Sequence, residues 1–147
     1  MLMQSEPTVP TVKIKRVISS DAHKIFNLWT RPELMAHWMS PYPGKVQCAA
    51  EADVRVGGTF KLSMQSDHST CEIEGQYVVV DPPHLLAFTW CGPPTQNANT
   101  LVTVELKSIS GGTELTLTHE KLPTVELRAA HEIGWANMFD HLTDAVD

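Results

Sequence analysis

Hydrophobic and polar residues alternate with a period of two through most of the chain between Pro41 and Pro123. This period is typical of β-strands that bury one face. Short segments rich in Gly, Pro, Asp and Ser separate the alternating runs and predict tight turns. A further β-branched run lies near the start of the chain. The predicted strands are residues 12–18, 46–54, 59–65, 71–79, 84–91, 102–107 and 115–119.

The apolar pattern changes to a helical period at the end of the chain. Residues 124–146 contain no proline, and most of their apolar side chains fall on one broad face at about 100° per residue. Thr124 is a suitable N-cap, and Glu126 lies in the first turn, where a carboxylate suits the helix dipole. His131 is the residue that interrupts this apolar face. We expect a long amphipathic helix that lies in a groove.

The order of the elements predicts an α+β fold. Two short helices, residues 22–29 and 33–38, follow the first strand, and Pro32 separates them. Hairpin-length connections between consecutive strands indicate a curved antiparallel sheet of six to seven strands. Its apolar face needs a cover, and the terminal helix is the largest apolar surface left to supply one. Gly75, inside a predicted strand, indicates a bulge or bend that helps the sheet curl around that helix.

Composition narrows the class of protein and of partner. The chain has 147 residues, 42% of them hydrophobic, which suits a single domain over residues 12–147 after a loose segment at 1–11. A net charge of −6 without a clustered basic face argues against nucleic acid and anionic membrane as partners. No apolar run is long enough to span a membrane, and no signal peptide is evident.

Cysteine and histidine spacings bear on redox state and cofactors. The three cysteines (Cys48, Cys71 and Cys91) form no CxxC pair and leave one over, so we expect reduced thiols in a cytoplasmic protein. The seven histidines show no spacing typical of a metal site. A phosphate-binding loop and a nucleophile elbow are both absent from the sequence. The sequence therefore predicts no metal and no other cofactor.

Several segments, taken in order, resemble one known superfamily. They are residues 18–38 (ISSDAHKIFNLWTRPELMAHW), 53–60 (DVRVGGTF), 75–90 (GQYVVVDPPHLLAFTW) and 112–119 (GTELTLTH), followed by Gly134, Trp135 and Leu142. The ordered set resembles the SRPBCC or START-like superfamily. Within it, the set is similar to the group of homologues of the activator of the heat-shock-protein-90 ATPase. The resemblance covers nearly the whole chain from about residue 12.

The resemblance implies a START-like, or Bet v 1-like, helix-grip fold. In this fold a curved antiparallel sheet grips the C-terminal helix and leaves a hydrophobic cavity between them. The resemblance implies much less about activity, because the superfamily includes lipid and hormone binders, polyketide cyclases and co-chaperone domains.

Side chains that face one another across such a cavity are the candidate ligand-binding residues. Most are bulky and apolar, and the polar tips of Tyr77, Trp90 and Trp135 need partners when buried, as in apolar ligand sites with few polar groups. His119 and His131 join them, because only about four residues connect the last strand to the helix. The full set is Phe60, Leu62, Met64, Ile73, Tyr77, Phe88, Trp90, Val102, His119, His131, Trp135 and Met138.

Two interpretations of this set compete. In one, the apolar side chains fill a core, and each histidine bonds a backbone carbonyl or reaches solvent. In the other, the side chains line a cavity, and the two imidazoles orient a polar ligand group or act as acid and base near neutral pH.

The leading hypothesis is a non-catalytic protein that binds a small hydrophobic or amphipathic molecule between the sheet and the helix. The first alternative is an enzyme of the cyclase or dehydratase type, which would use His119 and His131 for proton transfer on an aromatic or polyketide-like substrate. The second is a co-chaperone-like protein-interaction module. A homodimer through an exposed strand edge is compatible with such a sheet.

Overall fold

A computed structural model describes residues 10–146 of the chain. The loose segment predicted at residues 1–11 lies outside this range except for its last two residues. The strands are β1 (Val12–Ile18), β2 (Cys48–Ala52), β3 (Thr59–Gln65), β4 (Thr70–Asp81), β5 (Leu85–Trp90), β6 (Thr100–Ile109) and β7 (Gly112–Glu120). The α-helices are α1 (Ala22–Thr30), α2 (Pro32–Met35) and α3 (Val125–Ala145). No helix within residues 10–146 is long and apolar enough to cross a membrane.

The strands form one antiparallel sheet of seven strands, in the order β1-β7-β6-β5-β4-β3-β2. β1 pairs with β7, so Val12 lies opposite His119. Along β3 the buried residues Phe60 and Leu62 flank the exposed Lys61, which is the alternation that the sequence pattern predicts. The sheet, the C-terminal helix and the short helices after β1 confirm the predicted α+β helix-grip fold.

The two short helices bring aromatic side chains into the core. Asp21 caps α1, and its side chain accepts a hydrogen bond from a first-turn amide at 2.8 Å. Pro32 begins α2, which ends at Met35 and not at residue 38 as predicted. Beyond α2 the Trp38 indole turns inwards, donates to the Leu28 carbonyl at 2.7 Å and is fully buried. Burial of this large ring therefore takes precedence over continuation of the helix.

Gly75 lies where β4 and β5 come unusually close. A β-carbon at this position would collide with the Thr89 carbonyl oxygen and with the Phe60 ring. The irregularity in strand pairing falls two residues further on, between Tyr77 and Val79. The predicted irregularity thus lies near Gly75, and the close approach of backbone and ring explains why glycine occupies this position.

α3 begins at the predicted cap, where the Thr124 hydroxyl accepts from the Leu127 amide at 3.1 Å. The two halves of the helix differ in burial. No side chain of α3 between Val125 and Gly134 is fully buried, whereas the second half of the helix carries four that are. These are Trp135, Met138, Phe139 and Leu142.

Candidate functional site

A chain of hydrogen bonds crosses the protein interior around His119. The Trp135 indole donates to Nδ1 of His119 at 3.0 Å, and Nε2 of His119 lies 2.7 Å from the Thr100 hydroxyl. That hydroxyl donates in turn to the Trp90 carbonyl at 2.6 Å. Because Nδ1 accepts, the neutral ring carries its proton on Nε2 and donates to Thr100. Both ring nitrogens are therefore used inside the protein, and the chain ties α3 to three neighbouring strands.

Burial keeps His119 neutral. Its side chain is 0% exposed. Desolvation, with a smaller contribution from the nearby His131, lowers the pKa of His119 from 6.5 to about 3. The imidazole serves as a structural hydrogen-bonding group and does not titrate near neutral pH.

His131 lies one helical turn before Trp135, and its ring meets the His119 ring edge-on at a centroid distance of 5.0 Å. This confirms the predicted proximity of the two histidines. Nδ1 of His131 lies 2.8 Å from the Leu127 carbonyl, which can only accept, so Nδ1 carries a proton. Burial lowers the pKa of His131, while the bond to Leu127 opposes that change. The neutral ring therefore presents Nε2 with a free lone pair.

Beside His131, a cleft of about 390 Å³ opens between the sheet, α3 from Leu127 to Met138 and two proline-rich segments. This volume falls in the range of small-molecule sites. Side chains from β3, β4 and β5 form one wall, α3 forms the opposite wall, and proline-rich loops form the rim. The lining residues are Pro41, Met64, Cys71, Ile73, Trp90, Pro93, Pro94, Gln96, Leu127, Ala130, His131, Gly134, Trp135 and Met138.

The cleft is almost free of charge. Among these described lining residues, only Cys71 and His131 can titrate. Burial, and secondarily the neighbouring Glu72, raises the pKa of the Cys71 thiol to about 11, so it stays protonated. The nearest charges on α3, Arg128 and Glu132, form an ion pair with each other at 2.9 Å. An apolar, uncharged cavity wall follows from these features.

The space between sheet and helix is closed at its other end. There, between the sheet and the segment that carries α1 and α2, a void of about 10 Å³ remains, which is no larger than one water. Trp29 and Trp90 both border this void. Within residues 10–146, their indole nitrogens are the buried side-chain polar atoms that have no hydrogen-bond partner. The other bordering residues are Met35, Met39, Phe60, Leu62, Tyr77 and Phe88.

The structure divides the predicted cavity residues into three groups. Those that line the open cleft are Met64, Ile73, Trp90, His131, Trp135 and Met138. Those that border the small void but not the cleft are Phe60, Leu62, Tyr77 and Phe88, all packed in the core. Val102 and His119 are 0% exposed and border neither space. Half of the predicted set thus lines the cleft.

Loop residues of the cleft were not predicted from the sequence. Pro41 reaches the cleft because the Asn137 side chain donates to its carbonyl at 2.9 Å. The carbonyl of the neighbouring Tyr42 accepts a hydrogen bond from Nε2 of His141 at 2.8 Å. Pro93 and Pro94 lie in a 3-10 helix, Pro93–Thr95, two residues after β5, and were visible in the sequence only as a proline-rich loop. No periodic signal marks such residues, since their position depends on contacts with a distant helix.

Comparison with known proteins gives a consistent result. The sequence matches the family model described as Activator of Hsp90 ATPase homolog 1-like protein over residues 19–147. No curated protein matches the chain in sequence. The three similar structures that follow are all below 25% sequence identity and therefore bear on the fold alone.

A protein from Chromobacterium violaceum is 20% identical, with a TM-score of 0.82 over 93% of this chain and 96% of its own. A Staphylococcus aureus protein of unknown function is 21% identical, with a TM-score of 0.78 over 92% of each chain. A protein from Rhodobacter sphaeroides is 21% identical, with a TM-score of 0.76 over 97% of each chain. These similarities show that the whole helix-grip architecture is shared.

Proposed function

The chain belongs to the family of Activator of Hsp90 ATPase homolog 1-like proteins, and from that premise we propose that it binds a small hydrophobic or amphipathic molecule in the open cleft. The family and the fold support a ligand-binding or co-chaperone-like domain in general. The cleft of about 390 Å³ is the observation that favours ligand binding. Its walls include the rings of Trp90 and Trp135 and the side chains of Met64 and Met138, which are large apolar groups of the kind that line ligand sites.

The polarity of the cleft supports the same proposal. Ligand sites are concave, mostly apolar and supplied with a few polar groups that fix orientation. Here Trp90 and Trp135 provide aromatic walls with ring centroids 5.1 Å apart, and His131 provides a polar group beside them. The bond from Trp135 to His119 holds one of these walls in place.

The geometry does not favour the cyclase or dehydratase alternative. An acid–base pair needs two groups that reach the substrate. His119 uses both ring nitrogens within the protein and has no exposed surface, so His131 is the single imidazole of the pair that reaches the cleft.

Filling the cleft with a side chain tests the proposal. Ala130 lines the cleft, whereas its neighbour Ala129 is exposed on α3 but does not line it. We expect wild type and Ala129→Trp to bind the uncharged fluorophore N-phenyl-1-naphthylamine saturably with one-to-one stoichiometry. Ala130→Trp should weaken binding at least about tenfold, because the indole occupies the space; a tenfold loss corresponds to about 1.4 kcal/mol. Equal affinity in all three proteins, or none in wild type, would refute ligand binding in this cleft.

A second candidate is a co-chaperone-like interaction module, which is favoured by the family's likeness to an activator of the Hsp90 ATPase. Measuring Hsp90 ATPase activity with and without the purified chain tests it. Stimulation that Ala130→Trp leaves unchanged would support this function and separate it from the cleft. No stimulation at saturating chain would count against it.

A further inference from the structure

The hydrogen-bonding sense of His131 restricts the chemistry of a cleft ligand. The Leu127 carbonyl fixes the ring proton on Nδ1 at 2.8 Å. Within residues 10–146, the side-chain polar atoms that are both buried and unpaired are the indole nitrogens of Trp29 and Trp90. Nε2 of His131 is also unpaired but is not one of these buried atoms, so it is open to solvent. An unprotonated ring nitrogen accepts hydrogen bonds and does not donate them. A ligand that meets Nε2 favourably must bring an O–H or N–H group.

The surroundings of His131 favour its neutral form. The ring faces His119, whose own nitrogens are committed to Trp135 and Thr100. Arg128 and Glu132 on the same helix neutralise each other at 2.9 Å. No lining residue of the described cleft carries a carboxylate that would stabilise an imidazolium. Nε2 is therefore a neutral acceptor in an apolar setting, where an unmatched partner is unfavourable.

The remaining walls favour a flat, uncharged ring system. Trp90 and Trp135 present rings tilted by 44°, which suits offset and edge contacts with a third ring. Neither Lys nor Arg lines the described cleft to pair with a carboxylate or phosphate, so an anionic ligand would lose its hydration without compensation.

We propose that the cleft selects an uncharged aromatic compound with a hydroxyl group, and that His131 Nε2 accepts the hydrogen bond from that hydroxyl. This inference rests on the proposed function and names the ligand class for it. His131 is the specificity-determining residue, and the tryptophan rings supply most of the affinity.

Two naphthalenes of nearly equal shape separate ligand binding in the cleft from the role of His131 as a hydrogen-bond acceptor. 2-Naphthol carries the hydroxyl donor, and 2-methylnaphthalene replaces it with a methyl group. Dissociation constants for both are measured by quenching of tryptophan fluorescence with wild type, His131→Phe and the control His23→Phe, which alters an exposed histidine on α1. The ratio of the two constants cancels general effects of each substitution on packing. The preference for 2-naphthol should fall about three- to tenfold in His131→Phe and stay unchanged in His23→Phe.

The outcomes distinguish this inference from the function on which it rests. If both naphthalenes bind wild type with a ratio that His131→Phe does not change, ligand binding stands and the assignment of His131 is wrong. Tighter binding of 2-naphthoate than of 2-naphthol would also overturn it, because that order requires a cationic His131. If neither naphthalene binds wild type, both claims fall. His131→Leu replaces the phenylalanine variant if that variant does not fold.

Discussion

The two ends of the space between the sheet and α3 contrast in packing although the same sheet and helix form both. At the closed end, Trp29 lies 4.7 Å from Trp38 and 6.3 Å from Phe139, measured between ring centroids. At the open end, Trp90 and Trp135 face a cleft of about 390 Å³. The difference lies in the third element: α1 and the turn after α2 insert Trp29 and Trp38 at the closed end, whereas Pro41 and a short 3-10 helix, Pro93–Thr95, rim the open end. The short helices α1 and α2 thus fill one end and leave the cleft at the other.

Two leucines of α3 give the largest expected contrast. Leu142 is 0% exposed at the closed half of the helix, and Leu127 is half-buried beside the cleft. We expect Leu142→Ala to lower the free energy of unfolding by about 3–4 kcal/mol, because it leaves a cavity in a packed core. Leu127→Ala should lower it by at most about 1 kcal/mol, because part of that side chain already meets solvent. Urea denaturation measures both, and equal losses would show that the two ends are packed alike.

Acid should destabilise the hydrogen-bond chain around His119 that ties α3 to the sheet. The pKa of His119 is about 3 in the folded chain against 6.5 ordinarily, so between these values the unfolded chain binds a proton that the folded chain excludes. Stability therefore falls as pH drops from 6.5 towards 3. The expected loss from this residue between pH 7 and pH 4 is about 3 kcal/mol. His131, whose pKa is also lowered, adds to the loss in the same direction.

Comparison with His119→Gln isolates this contribution, because the carboxylates titrate equally in both proteins. Urea denaturation at pH 7 and pH 4 should show a smaller acid loss in the variant, by about 3 kcal/mol. An identical acid loss in the two proteins would mean that the folded chain does not lower the pKa of His119.

Removing one hydroxyl from the hydrogen-bond chain should have a moderate effect. Thr100 is fully buried and links His119 to the Trp90 carbonyl. Thr100→Val keeps the shape but leaves the buried Nε2–H of His119 without a partner, which should cost about 1–3 kcal/mol. Thr143→Val is the matched control, because its hydroxyl bonds only the preceding turn of α3 and the residue is exposed. A loss no greater than that of the control would show that the chain contributes little to stability.

Gly134→Ala should have the smallest effect and the opposite sign. An added β-carbon would lie 3.3 Å from the Pro41 side chain, which sits on a loop at the open end. In a helix, alanine is more stable than glycine by about 1 kcal/mol. The close contact with Pro41 offsets part of this gain, so we expect the free energy of unfolding to rise by about 0.5 kcal/mol. Thermal unfolding would detect it as a slightly higher midpoint. A marked loss would show that the Pro41 loop is as rigid as the core.

Much of the fold could be predicted from the sequence in outline. The period-two pattern of the strands and the apolar face of α3 predicted the sheet and its cover, because half-buried elements must alternate polar and apolar residues. The nearness of His119 and His131 followed from the short connection between β7 and α3. The division of the predicted cavity residues did not follow. Phe60 and Met64 are four residues apart on β3 and lie on the same face of the sheet, yet only Met64 reaches the cleft.

The sequence by itself determined the elements, their order and the side of each strand that is buried, because these depend on local periodicity. The tertiary structure decided which part of the buried side is filled and which is open, because that depends on where Trp29, Trp38 and Pro41 come to lie. It also decided the chemical state of the two histidines. Nothing in the sequence indicates that Thr100 or Leu127 bonds an imidazole. Each determines which ring nitrogen carries the proton only after folding has brought donor and acceptor within hydrogen-bonding distance.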